Sequence, residues 1–361
     1  MNAVLLTGHG GFDRLVFRDD APEPVPGPGE VLIRVGAAGV NNTDINMRVG
    51  WYSKSCSVEA SAAGGGAVPD ARARDAGWTG SSVAFPLIQG ADVCGRIVAV
   101  GDAVAPARMG QRVLVDPVIR PSRTASGTRP LYLGSDCDGG FADFVRVPAA
   151  NAYPIEASLS DAELASFPCS YSAAENMLSR AAVRDGETVL VTGASGGVGS
   201  AAVQLAARRD ARVIAVAGAA KTAQVENLGA ARVICRDADL VAALGRESID
   251  VVIDVVGGPQ FPQLLEVLRH AGRYAVAGAI AGPLVTLDLR TLYLKDLRLL
   301  GCTIPEAHVF EHLVRYIERE EIKPVVANTY PLEAIVQAQQ DFLAKTHIGK
   351  LVLIPRAAIT R

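Results

Sequence analysis

Residues 188–204 read Thr-Val-Leu-Val-Thr-Gly-Ala-Ser-Gly-Gly-Val-Gly-Ser-Ala-Ala-Val-Gln, and no other stretch constrains the fold as tightly. An apolar, strand-like run leads directly into a glycine-rich turn that opens a helix. Gly193, Gly196 and Gly199 are spaced G-x-x-G-x-x-G, with Ser195, Gly197 and Val198 completing the turn. Glycines at these places let the chain turn tightly, let backbone N–H groups approach phosphate oxygens without a Cβ in the way, and let the helix pack close to its sheet. The helix N-terminus adds unpaired N–H groups and the positive end of its dipole, so the segment predicts a pyrophosphate-binding turn. The same residues spell G-x-S-x-G at Gly193–Gly197, the pattern of a hydrolase nucleophile elbow. His270 lies late enough in the chain to complete such a triad, but an elbow has no use for Gly199, and the dinucleotide reading is preferred.

The surroundings support that reading. Strand-like runs follow at Arg212–Val216, Arg232–Cys235, Asp250–Val256, Gly272–Ala277 and Leu297–Thr303, separated by helix-like stretches such as Lys221–Leu228 and Gln263–Arg269. This βαβ alternation predicts a parallel sheet. Residues 1 to about 155 have another texture, with short strands at Val31–Val35, Arg96–Val100, Arg112–Val115 and Phe144–Val147 among Gly and Pro turns. The end of the chain returns to a strand at Ile348–Ile354. An all-β domain interrupted by a nucleotide-binding one is the simplest account: 1–157 joined by 305–361, with 158–304 between them. Between Ser53 and Ser82 an Ala/Gly/Ser-rich segment offers little to bury, and it is either disordered or a functional lid, with Trp51 and Trp78 as possible apolar anchors.

Charge and cysteine usage exclude several classes. With 35 Lys and Arg against 38 Asp and Glu, and no basic run longer than a pair, there is no electrostatic footprint for nucleic acid or an anionic membrane. The apolar runs are strand-length, far short of the ~20 residues needed to span a bilayer, and the chain starts like a strand without a secretory segment. A cytoplasmic protein is expected. The six cysteines are scattered singly, with no C-x-x-C pair to suggest a disulfide framework or a zinc ribbon.

Taken together, Gly-Val-Asn-Asn-Thr-Asp-Ile-Asn at 39–46, Gly50-Trp51-Tyr52, Gly-Ala-Asp-Val-Cys-Gly at 90–95, Asp-Gly-Gly-Phe-Ala-Asp-Phe-Val at 138–145, Pro-Cys-Ser-Tyr-Ser-Ala-Ala-Glu at 168–175, the glycine turn, and His-Ile-Gly-Lys-Leu-Val-Leu at 347–353 resemble the medium-chain dehydrogenase/reductase superfamily over essentially the whole length. The resemblance implies an α/β protein: a GroES-like, β-rich catalytic domain, a Rossmann cofactor domain with a doubly wound parallel sheet, and a cleft between them. In the alcohol dehydrogenase branch a Cys, a His and a second Cys hold catalytic zinc. Here Asn41 and Ala91 stand at the first two of those positions, and only Cys169 matches. The structural zinc lobe of that branch carries four cysteines, whereas Pro117 to Asp138 holds only Cys137. Neither metal site is expected.

The zinc-free relatives that the chain resembles are quinone oxidoreductases and 2-enoyl thioester reductases, which implies hydride transfer to the activated C=C of a small electrophile. Hydride addition builds an enolate, so a metal-free site needs donors at its oxygen and an acid near its α-carbon. Asn41, Thr43 and Tyr52 are the candidates; Asn41 and Asp44 also read as turn residues, and Tyr52 as the hinge of the loop after it. The second strand of the nucleotide domain ends Val-Ala-Gly-Ala-Ala-Lys, without the acid that holds an NAD ribose, so Gly218 and Lys221 point to NADP(H). By position, Ser172, Gly278, Ala279, Cys302, Thr303 and Lys350 are further expected cofactor contacts. A zinc-free carbonyl reductase or alcohol dehydrogenase of the same fold, and a cofactor-binding protein without turnover, are the alternatives. The apolar run Leu297–Thr303 suggests a homodimer.

Overall fold

The structure, a computed structural model, describes residues 1–56, 75–78, 80–120 and 129–356. Most of the 53–82 segment, including the expectation that it is a lid or disordered, lies outside the described residues. Contacts divide the chain into two units: the described residues of Met1–Cys56, Ala62–Cys169 and Phe310–Arg361, and those of Ser170–Val309.

The first unit is built on a sheet in which Ala152–Pro154, Arg112–Val115, Asp92–Val100, Glu30–Gly39, Lys350–Ile354 and Val326–Pro331 lie in that spatial order, with Phe144–Pro148 also pairing to Glu30–Gly39. All these pairings are antiparallel except the last two strands, which run parallel. Val31, Ile33, Val35, Ile97, Val113, Val145, Val147 and Leu351 fill its core. The strand Glu30–Gly39 delivers the chain to Asn41, where the helix Asn42–Val49 begins and the Asp44 carboxylate accepts from the Asn41 backbone N–H at 2.7 Å. Gly50, in the left-handed region at φ +76, ends that helix and turns the chain toward Tyr52. A two-stranded ribbon, Val118–Ile119 with Leu131–Tyr132, stands apart from the main sheet.

The second unit is a six-stranded sheet ordered Arg232–Cys235, Arg212–Ala217, Thr188–Val191, Ile249–Asp254, Leu268–Val276 and Arg298–Gly301. Every pairing is parallel. This is the doubly wound Rossmann order, which reverses at the strand preceding the glycine turn. Val189 to Val191 and Val251 to Ile253 are fully buried, as continuous apolar runs covered on both faces should be. One expectation needs correction. The helix anticipated over Gln263–Arg269 is Phe261–Val267, and Leu268 already belongs to the next strand because it pairs with Ile249. Among the described residues no helix is long and apolar enough to cross a membrane.

Candidate active site

Asn41, Asp92 and Lys350 form a buried network in the first unit. The Lys350 ammonium, 3% exposed, donates to the Asn41 amide oxygen at 2.6 Å and to Asp92 Oδ2 at 2.6 Å. Asn41 Nδ2 donates to the same Asp92 oxygen at 2.9 Å, and the backbone N–H of Cys169 donates to Asp92 Oδ1 at 2.5 Å. A buried carboxylate is tolerated only when paired and hydrogen-bonded, and Asp92 is both. Asn41, expected as a donor to substrate oxygen, spends its amide at both ends inside this network. Lys350, expected among the cofactor contacts, holds Asn41 and Asp92 together.

Tyr52 lies one helix away in sequence and beside the network in space. Its hydroxyl sits 2.9 Å from Thr43 Oγ1 and also shares a hydrogen bond with Asn46. The helix Asn42–Val49 places Thr43 and Asn46 three residues apart, on one face. Burial pushes the Tyr52 phenol up to about 12, with Thr43 and Asn46 opposing. It therefore carries its proton at any working pH. Cys169, at the start of helix Pro168–Arg180, is pushed to about 12 chiefly by burial and next by the charge of Asp92, so it is a thiol and not a thiolate. Tyr132, which sequence reading did not single out, donates from its hydroxyl to the Cys169 sulfur at 3.0 Å.

Asp44 links this site to pH. Its carboxyl is fully buried and raised to about 7, by desolvation above all, with the Asn41 N–H and the Lys350 charge opposing. A folded pKa above the unfolded value means that stability is greatest at low pH and is lost as pH rises from about 4 to about 7. Asp44→Asn keeps an acceptor for the Asn41 N–H and removes the ionisation. The variant is expected to match the wild type near pH 4 and to exceed it at pH 8 by an amount on the order of 1–3 kcal/mol. Parallel pH dependence of the two melting temperatures would refute this.

In the second unit the local geometry accounts for two glycines of the turn. Gly193 adopts φ +58, and a Cβ there would meet the Val255 and Val256 side chains at 3.0 Å. A Cβ on Gly199 would drive into the Gly193 carbonyl oxygen, so the third glycine is what lets the helix Gly197–Ala207 sit against the turn. Ser195, Gly196, Gly197 and Val198 retain some exposure at its mouth. Asp254 pins this turn from the neighbouring strand. Its carboxylate accepts from Thr192 Oγ1 and from the Tyr274 hydroxyl, each at 2.5 Å, and from the N–H groups of Val256 and Gly257. Asp254 was also missed from sequence, although it opens the run Asp-Val-Val-Gly-Gly.

At the end of the second strand, Ala217 pairs with Cys235, which sets Gly218 beside Arg236. A Cβ on Gly218 would meet the Arg236 guanidinium at 2.7 Å, and Lys221 has its pKa lowered by burial and then by the Arg236 charge. Two cations thus converge over a glycine, where sequence reading had found only Lys221. Ser172 is buried in helix Pro168–Arg180. Cys302 is buried just beyond the sixth strand, its N–H bonded to Val276 O at 2.9 Å, while Thr303 next to it is exposed. Gly278 follows the fifth strand, where a Cβ would meet the Val255 carbonyl oxygen at 2.8 Å, and Ala279 next to it is half-buried.

Residues 27–157 match the alcohol dehydrogenase GroES-like domain, and residues 197–319 match the zinc-binding dehydrogenase domain. The chain belongs to the medium-chain dehydrogenase/reductase superfamily and is an oxidoreductase of that family. It is 30% identical to an acryloyl-coenzyme A reductase of Metallosphaera sedula, over 98% of this chain and 99% of the relative. It is 28% identical to a quinone oxidoreductase of Mus musculus, with 98% of each chain covered. A solved structure from Sinorhizobium meliloti 1021, provisionally described as an alcohol dehydrogenase, superposes with a TM-score of 0.88 at 47% identity, covering 98% of this chain and 96% of that one.

Proposed function

We propose that the enzyme reduces the activated C=C of a small electrophile (an enone, a quinone or an enoyl thioester) with NADP(H) and without a metal. The observation that carries this reading is the Lys350 ammonium at 2.6 Å from Asn41. Where the resemblance puts a zinc ligand, this chain has a neutral amide already bonded to a cation, a donor set that suits no dication. Among the described residues there is also no group of three His, Cys, Asp or Glu that would hold one. Donors for a developing enolate are instead the hydroxyls of Tyr52 and Thr43. The glycine turn fits the cofactor's pyrophosphate, and Gly218 with Lys221 and Arg236 fits a 2′-phosphate. When bound, NADPH supplies the hydride. The protein's own part is to orient the electrophile, donate to its oxygen and hold a proton for its α-carbon.

The decisive experiment follows NADPH consumption against a panel of enones, quinones and enoyl thioesters, with a chelator present and products identified. Saturated carbonyl products from the enones and enoyl thioesters, and hydroquinones from the quinones, are expected at undiminished rate. Alcohol products would favour the carbonyl reductase alternative, and no consumption at all would favour a cofactor-binding protein without turnover. Stoichiometric zinc that leaves together with activity would overturn the metal-free reading.

Cofactor choice has its own test. Charge-assisted hydrogen bonds are worth about 1.5–3 kcal/mol, so Lys221→Ala or Arg236→Ala should weaken NADPH by roughly tenfold to a hundredfold and leave NADH nearly untouched. Equal losses for both cofactors in titrations of the two variants would count against a 2′-phosphate site.

We also propose a homodimer formed through the sheet edge at Arg298–Gly301. Leu289, Tyr293 and Leu294, on the helix just before that strand, are 64%, 62% and 66% exposed. Light scattering should give twice the chain mass, and Leu294→Glu should halve it; a monomeric wild type would end the idea.

A further inference from the structure

We propose that the Tyr132 hydroxyl is the donor that receives the substrate oxygen as it becomes an enolate, with Cys169 as its resting acceptor. The inference rests on the reductase reading above and adds to it a residue from an unexpected part of the chain. Tyr132 ends the ribbon formed by Val118–Ile119 and Leu131–Tyr132, in the lobe where Cys137 stands alone in place of four cysteines.

Its placement is over-determined. The backbone N–H of Tyr132 donates to Asp136 Oδ2 at 2.8 Å, and the ring stacks on Trp78 with centroids 4.4 Å apart and planes at 28°. Only 7% of the residue is exposed. The hydroxyl so positioned gives its hydrogen bond to a thiol sulfur at 3.0 Å. Sulfur is a weak acceptor, and an anionic oxygen is a strong one. A buried phenol that rests on a thiol therefore gains by exchanging it for an enolate, at little cost for the bond given up. Tyr52 is differently committed, since its hydroxyl is shared with Thr43 and Asn46.

The two phenols lie in one cluster: both feel Cys169, and Tyr132 also feels Tyr52 and the negative charge of Asp92. Burial first, then Cys169, Asp92 and Tyr52, hold Tyr132 well above the ordinary phenol range. It stays a donor and does not become a base. The division of labour follows from the bonds each makes. Once a hydride has been added at the β-carbon, the former C=C pair becomes the bond between the α-carbon and the carbonyl carbon, and the carbonyl pair moves onto oxygen. Tyr132 hydrogen-bonds that oxygen in place of the Cys169 sulfur and keeps its own O–H proton. A proton then reaches the α-carbon, from Tyr52 or through it, and the C=O re-forms.

The test pairs turnover with a probe that needs none. 4-Nitrophenol is titrated into the protein and its ionisation followed by absorbance, because a phenolate mimics the enolate's charge and planarity. The wild type should bind the phenolate form and lower the probe's apparent pKa. Tyr132→Phe should weaken that binding about tenfold or more, abolish the shift, and lower kcat for an enone by about 10² to 10³, with NADPH affinity unchanged. Cys169→Ala releases the hydroxyl and should tighten phenolate binding severalfold. The proposal is overturned if Tyr132→Phe binds the phenolate as the wild type does, or if Cys169→Ala weakens it. If the probe's shift depends on Tyr132 while no enone, quinone or enoyl thioester is reduced, the donor stands and the reductase reading fails.

Discussion

Removing one oxygen atom, in Tyr52→Phe, is expected to lower kcat for an enone by about 10² to 10⁴ while leaving KM within a few-fold. The ring stays, so its edge-on contact with Trp51 is kept. What goes is a hydroxyl 2.9 Å from Thr43 Oγ1 whose proton is retained up to a pKa of about 12. A loop hinge would answer to the same change mainly through KM, because it would alter binding and transition state alike. Solvent-deuterium incorporation at the α-carbon gives a second readout, since a positioned acid fixes the face of protonation. A kcat within about threefold of wild type with unchanged stereochemistry would pass the role to Thr43 or to solvent.

Lys350→Met should destabilise the first unit by about 3–5 kcal/mol, the cost typical of leaving one member of a buried ion pair without its partner. Asp92 would keep the Asn41 amide and the Cys169 N–H but lose the Lys350 charge bonded to it. Both tryptophans of the chain, Trp51 and Trp78, belong to this unit, so their fluorescence in a urea titration reports its unfolding directly. Adding Asp92→Leu to Lys350→Met should recover much of the loss, because no charge is then stranded. A loss under about 1 kcal/mol in the single variant would show that the pair contributes no more than a surface one.

The parts of the molecule legible in advance are those set by local rules. Gly193 and Gly199 were predictable because a positive φ requires the first and a close backbone approach the second, and the strands Arg112–Val115 and Arg232–Cys235 fall where their apolar runs put them. Leu268 was misread because its strand pairing with Ile249 outweighs the helical spacing of the residues before it. The site was harder. Asn41 meets Asp92 across 51 residues and Lys350 across 309, and no spacing rule reaches so far. The resemblance supplied the positions but not the bond between them. Tyr132 carried no signal at all in Arg-Pro-Leu-Tyr-Leu-Gly, and Arg236 became visible only when strand register set it beside Gly218.

The ammonium in the Asn41 network also fixes the order in which a designer would have to work. Grafting Cys at 41 and His at 91 next to Cys169 would restore three ligand types, yet the new ion would arrive beside a fixed positive charge. At a separation of about 4 Å and an effective dielectric constant near 20, a dication and an ammonium repel by about 8 kcal/mol, enough to cancel most of the affinity of a good site. Lys350 would have to be neutralised first, and that single step strands Asp92. Building a Cys–His–Cys zinc site here therefore runs through a less stable intermediate, whichever ligand is introduced next.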